Sequence, residues 1–162
     1  MSLKEEIIQE IRSAFAGVTL DGGISLEQTR VMDNYGRGVT PEQFRDLPKT
    51  EIIDDWTRIP DAVLDQADCL AFLDQKGFRY YIPALMIRML SAYDEGPAMT
   101  ISTISRLYPK QPEHEELYGE LTQEQKVVVA RFLSALPSLF ELDWEDQTRI
   151  ERALRNYWSR YL

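Results

Sequence analysis

Apolar residues recur at helical spacing from the start of the chain. Leu3, Ile7, Ile8, Ile11, Ala14 and Phe15 fall on one stripe, and Ser2 followed by Glu5 is a capping-box pattern. The spacing predicts a helix from about Leu3 to Ala16, with Gly17 as a left-handed stop. Ser25 and Gln28 repeat the signature and predict a short helix to about Asp33, broken by Asn34-Tyr35-Gly36-Arg37-Gly38. Thr40-Pro41-Glu42-Gln43 places proline at the first helical position and predicts a helix to Leu47, stopped by Pro48. Residues 51–59 read as irregular or helical, and Pro60 opens another short helix through about Ala67.

The pattern changes in the middle. Cys69-Leu-Ala-Phe-Leu73 and Phe78-Arg-Tyr-Tyr-Ile82 are two apolar, aromatic runs around Asp74-Gln-Lys-Gly77, which predicts a β-hairpin ended by Pro83. On that reading Phe78, Tyr80 and Ile82 share one face, and Arg79 and Tyr81 form a pair on the other. A helix from Ala84 to about Tyr93 follows, then one carrying Ile101, Ile104, Leu107 and Tyr108. Residues 109–119 read as an acidic loop. Thr122 with Gln125 caps a helix to about Leu136, before Pro137, and Trp144 to about Tyr161 forms the last helix. The expected fold is α+β but mostly α: one helical domain, residues 1–162, with a single hairpin. Phe72, Phe78, Tyr80, Leu85 and Met89 are its expected core positions.

Composition agrees with a packed domain, at 44% hydrophobic residues with 3 Trp, 8 Tyr and 6 Phe. The net charge of −9 repels phosphate backbones, so a nucleic-acid partner is not expected. The densest basic run, Arg149, Arg152, Arg155 and Arg160, is interleaved with Asp143, Glu145, Asp146 and Glu151 and reads as a solvated helix face. A single cysteine, Cys69, excludes an internal disulfide, and its apolar neighbours suggest an inert thiol. No stretch approaches the roughly 18 apolar residues that a membrane helix needs, and the N-terminus lacks signal-peptide zones. A cytoplasmic protein is expected.

Signatures of known chemistry are missing. There is no phosphate loop and no nucleophile elbow, and the one histidine, His114, sits in the acidic loop. No catalytic residue, metal site or cofactor is therefore assigned. The most suggestive side chains are Asp33 beside Tyr35, and Asp54 and Asp55 beside Trp56. Paired acids against an aromatic wall suit glycoside or phosphate chemistry. The same acids also suit turn and cap hydrogen bonds, Asp33 in its own turn and Asp54 over Trp56. Arg79 and Tyr81, if exposed, could bind a carboxylate or an aromatic group, or they could equally cover helix ends.

The run Phe72-Leu-Asp-Gln-Lys-Gly-Phe-Arg-Tyr-Tyr-Ile-Pro-Ala84 resembles the DUF6714 type, a family of small bacterial proteins of unknown function. So do Ala14-Phe15, Asp33-Asn-Tyr-Gly36, Asp55-Trp56 and Leu121-Thr-Gln-Glu-Gln125. The resemblance implies one compact domain in a bacterial cytosol and brings no reaction, cofactor or catalytic residue. In size and charge alone the chain is also similar in style to immunity proteins that neutralise toxins. The expected function is a non-catalytic protein-binding module, immunity-like, presenting an acidic surface to a basic protein. The alternatives are an enzyme using Asp33, Asp54 and Asp55, or a homo-oligomeric structural protein, such as a homodimer, assembled through the aromatic C-terminal helix, where Ile150, Ala153, Leu154, Tyr157, Trp158 and Tyr161 form a stripe.

Overall fold

The computed structural model describes residues 1–162. It is all-α, with no strand, which corrects the α+β expectation. Eight α-helices follow one another: α1 Leu3–Ala14, α2 Leu26–Asp33, α3 Pro41–Asp46, α4 Asp61–Asp65, α5 Gln75–Ala92, α6 Ala98–Arg106, α7 Gln123–Leu139 and α8 Trp144–Asn156. Short 3-10 turns fill most of the connections. Four capping boxes, at Ser2, Ser25, Thr40 and Thr122, open α1, α2, α3 and α7 at the expected residues.

The expected hairpin is a 3-10 turn, Leu70–Phe72, followed by the first half of α5. Twelve of the eighteen residues of α5 are buried, so the helix has no polar stripe and its sequence lacks helical periodicity. A continuous apolar run of this kind does not distinguish a strand from a helix buried on all sides. Asp74 provides the start signal: its carboxylate caps the helix by accepting the Gly77 N–H at 2.8 Å. Pro83 lies inside the helix and leaves the Arg79 carbonyl without its usual donor, a cost that packing on every side offsets. Phe78, Tyr80, Leu85 and Met89 are buried, whereas Phe72 is at the surface because its turn faces outward.

Around α5 pack α1, α4, α6 and the turns at 56–58 and 112–118, and α1 also runs along α7. One cluster of 38 buried residues links all of these elements into a single core. The aromatic stripe at the C-terminus belongs to it. Trp158 is buried and donates its indole N–H to the Leu107 carbonyl at 2.7 Å, and Tyr157 stacks on Tyr118 with ring centroids 5.1 Å apart. The cover of that stripe is thus found within the chain.

Of the glycine positions, the closest approach joins the segment before α2 to the first turn of α5. A Cβ at Gly77 would stand 2.5 Å from the Ile24 carbonyl oxygen, and one at Gly23 would stand 2.7 Å from the Gly77 nitrogen. Asp74 holds both partners, accepting the Ile24 N–H at 2.9 Å with the same oxygen that caps α5. Alanine favours a helix over glycine by up to about 1 kcal/mol, yet Gly77→Ala should destabilise this one by about 1–3 kcal/mol through the collision. Thermal denaturation should show a lower midpoint. A midpoint equal to or above that of the wild type would show that the approach is not tight.

Candidate functional site

The clamp at Gly77 fixes the start of α2, and every free N–H of its first turn then finds a side-chain acceptor. The Gln28 N–H goes to Ser25 Oγ at 3.2 Å, the Glu27 N–H to Glu51 Oε1 at 3.1 Å, and the Leu26 N–H to the Tyr81 hydroxyl at 3.3 Å. Glu51 and Tyr81 are brought together from distant parts of the chain to satisfy one helix end.

A cavity of about 470 Å³ opens beside this helix end. Leu26, Leu47, Ile52, Ile59, Pro60 and Val63 form its walls, and Glu27, Thr50, Glu51 and Tyr81 supply its polar atoms. Volume, apolar walls and a few convergent polar groups are the usual attributes of a ligand pocket. Glu51 is half-buried, and burial pushes its carboxyl above the usual range, against the opposing influence of the nearby Ser25 hydroxyl and the bond from the Glu27 amide. Its second oxygen, Oε2, is buried without a hydrogen-bond partner. Burial, and then the nearby Glu51, also raise the Tyr81 phenol. A second hollow of about 310 Å³ lies between α6 and α8, lined by Asp94, Glu141, Asp143 and Asp146. There the Tyr93 hydroxyl donates to Asp146 at 2.7 Å and Asp143 caps α8, so two of its carboxylates already have structural partners.

The residues singled out by sequence fall elsewhere. Asp33 ends α2 beside the Cys69 thiol, which burial and then Asp68 and Asp33 push up to about 12. Asp55 accepts the Thr57 N–H at 3.1 Å and its hydroxyl at 2.6 Å, so Asp55, and not Asp54, caps the turn holding Trp56. Trp56 is buried and donates to the Phe15 carbonyl at 2.9 Å. Asp54 and Asp55 act on the Tyr80 hydroxyl, which donates to the Ile52 carbonyl at 2.7 Å. Asp33 therefore lies by Cys69 while Asp54 and Asp55 share the surroundings of Tyr80, and no group of three His, Cys, Asp or Glu side chains is placed to hold a metal ion. Arg79 and Tyr81 do not form an exposed pair: Arg79 donates to Gln125 at 3.2 Å, and Tyr81 is buried against α2.

Tyr35 differs from all of these. The Tyr35 N–H bonds the Met32 carbonyl at 3.1 Å and the Gly36 N–H bonds the Val31 carbonyl at 2.8 Å, the pair of bonds that closes a helix in a Schellman motif. Tyr35 occupies the left-handed position of that motif, with φ of 58°, where glycine is the usual residue. Its ring is 86% exposed, with the Arg37 guanidinium 5.6 Å from its centroid. The surrounding chain is acidic: residues 19–74 carry twelve Asp and Glu against five Lys and Arg, a net of −7 out of −9 for the whole protein.

The sequence pattern of DUF6714, a family of unknown function, matches residues 3–162, and the chain belongs to that family. No curated protein and no solved structure matches it. No helix is long and apolar enough to cross a membrane.

The ionisation of Glu51 can be tested through stability. Its folded pKa lies above its unfolded value, so the folded state holds the proton to higher pH. Stability then falls as pH rises through the window from the ordinary carboxylate range up to that raised value, and the penalty is complete above it. Glu51→Gln keeps an oxygen for the Glu27 N–H and removes the charge. Its melting temperature should equal or exceed that of the wild type at pH 7 to 8, on the order of neutral conditions, and the advantage should shrink on acidification. A variant that loses stability at neutral pH and regains it in acid would contradict this.

Proposed function

We propose that this DUF6714 protein is a non-catalytic protein-binding module that presents an acidic surface to a basic partner, with Tyr35 as an anchor. The observation that carries this reading is the exposed ring of Tyr35 at a left-handed helix stop. A side chain in that conformation costs roughly 1–2 kcal/mol relative to glycine, of which an exposed cation–π contact with Arg37 offsets about 0.5–1 kcal/mol. Strain retained at an exposed aromatic residue is the pattern expected of a contact with another molecule. The net charge of −7 carried by residues 19–74 would steer a basic protein to this part of the molecule.

Asp33 faces Cys69 and not the Tyr80 neighbourhood of Asp54 and Asp55, which lends no support to a carboxylate site shared by the three. The single thiol and the family resemblance favour a bacterial cytoplasm as the setting of this activity.

Tyr35→Gly separates binding from stability, because the two should move in opposite directions. The variant should gain up to about 1 kcal/mol of stability. A partner captured from the source cells should be basic and released by salt, and should lose about thirtyfold or more in affinity for the variant, as at a binding hot spot. Denaturation and titration calorimetry measure the two effects. An acidic partner, or unchanged affinity with Tyr35→Gly, would overturn the reading.

A further inference from the structure

We propose that the pocket beside Glu51 is a binding site for a small organic ammonium, a primary amine on an apolar stem. The inference is independent of the partner assigned to Tyr35 and concerns a different site. The first reason is size and lining: about 470 Å³ suits a small molecule, and Leu47, Ile52, Ile59 and Val63 offer an aliphatic surface to a hydrocarbon stem.

The second reason is charge. The ionisable side chains lining the pocket are Glu27, Glu51 and the phenol Tyr81, with no lysine or arginine among them. A helix N-terminus ordinarily attracts anions. Here the amides of Leu26, Glu27 and Gln28 already bond Tyr81, Glu51 and Ser25, so an anion would find two carboxylates and no free amide. A cation finds the complement of both.

The third reason is the unpartnered oxygen. Glu51 Oε1 is fixed by the Glu27 amide, while the buried Oε2 accepts nothing. Buried polar atoms are almost always paired, so a missing partner needs an explanation. The last torsion of a glutamate is broad, so a small turn that keeps the Oε1 bond to the Glu27 amide brings Oε2 toward a donor standing in the pocket. An ammonium there would also hold the charge that burial disfavours on Glu51.

Three probes with one stem and different heads test this: hexylammonium, hexanol and hexanoate, followed by chemical-shift titration. Hexylammonium should bind with a dissociation constant on the order of 1 mM and shift the signals of Leu26, Glu27 and Tyr81. Hexanol should bind at least about tenfold more weakly and hexanoate not measurably, the difference made by one charge-assisted hydrogen bond. Glu51→Gln should lose the preference for hexylammonium and keep the weak binding of hexanol, which reports that the pocket remains formed. Equal binding of the three heads, an unchanged preference in Glu51→Gln, or no shift of these residues with hexylammonium would each overturn the proposal.

Discussion

The fold depends on a backbone contact that no side chain could replace: the carbonyl of Ile24 lies where a Cβ of Gly77 would be. Glycine at 77 and at 23 lets two segments separated by more than fifty positions come together at van der Waals distance, and Asp74 closes the contact by accepting an N–H from each. This single carboxylate oxygen starts α5 and anchors the chain entering α2. Once that entry is set, the first turn of α2 faces Tyr81 from α5 and Glu51 from the loop before Trp56. The pocket is a consequence of where α2 begins.

The same logic recurs elsewhere. Short helices leave many carbonyls and amides without a ladder, and each buried one needs a partner. Aromatic side chains with polar tips serve several of them: Tyr80 reaches Ile52, Trp56 reaches Phe15, Tyr118 reaches Arg106 and Trp158 reaches Leu107. Each ring fills the core while its tip pairs an irregular stretch of backbone. Two bidentate arginine pairs add to this at the surface, Arg88 with Asp65 between α5 and α4 and Arg131 with Glu10 between α7 and α1.

Local chemistry made much of this legible in the sequence. The starts of α1, α2, α3 and α7 follow from hydroxyl and Glu or Gln pairs three residues apart, whose bonds depend on nothing beyond the turn itself. The first half of α5 reads as a strand because its environment is long-range. Gly77 has the look of a turn residue, but its role is the close approach of Ile24, and burial on all faces erased the stripe that marks a helix. The site divides in the same way. The turn at Tyr35 could be located from its glycines, although not its exposure. Glu51 gives no signal, because its role comes from an amide 24 positions earlier and from a helix whose own pattern resembles a strand.

Amide hydrogen exchange tests this account most directly. First-turn amides of a helix have no intrahelical acceptor and normally exchange freely. The account predicts that Ile24, Leu26 and Glu27 are protected in the native protein, each through the side chain that reaches it: Asp74, Tyr81 and Glu51. Exchange of these three amides at the rate of an unstructured chain would mean that α2 is not held against α5, and the pocket and the clamp would fall together.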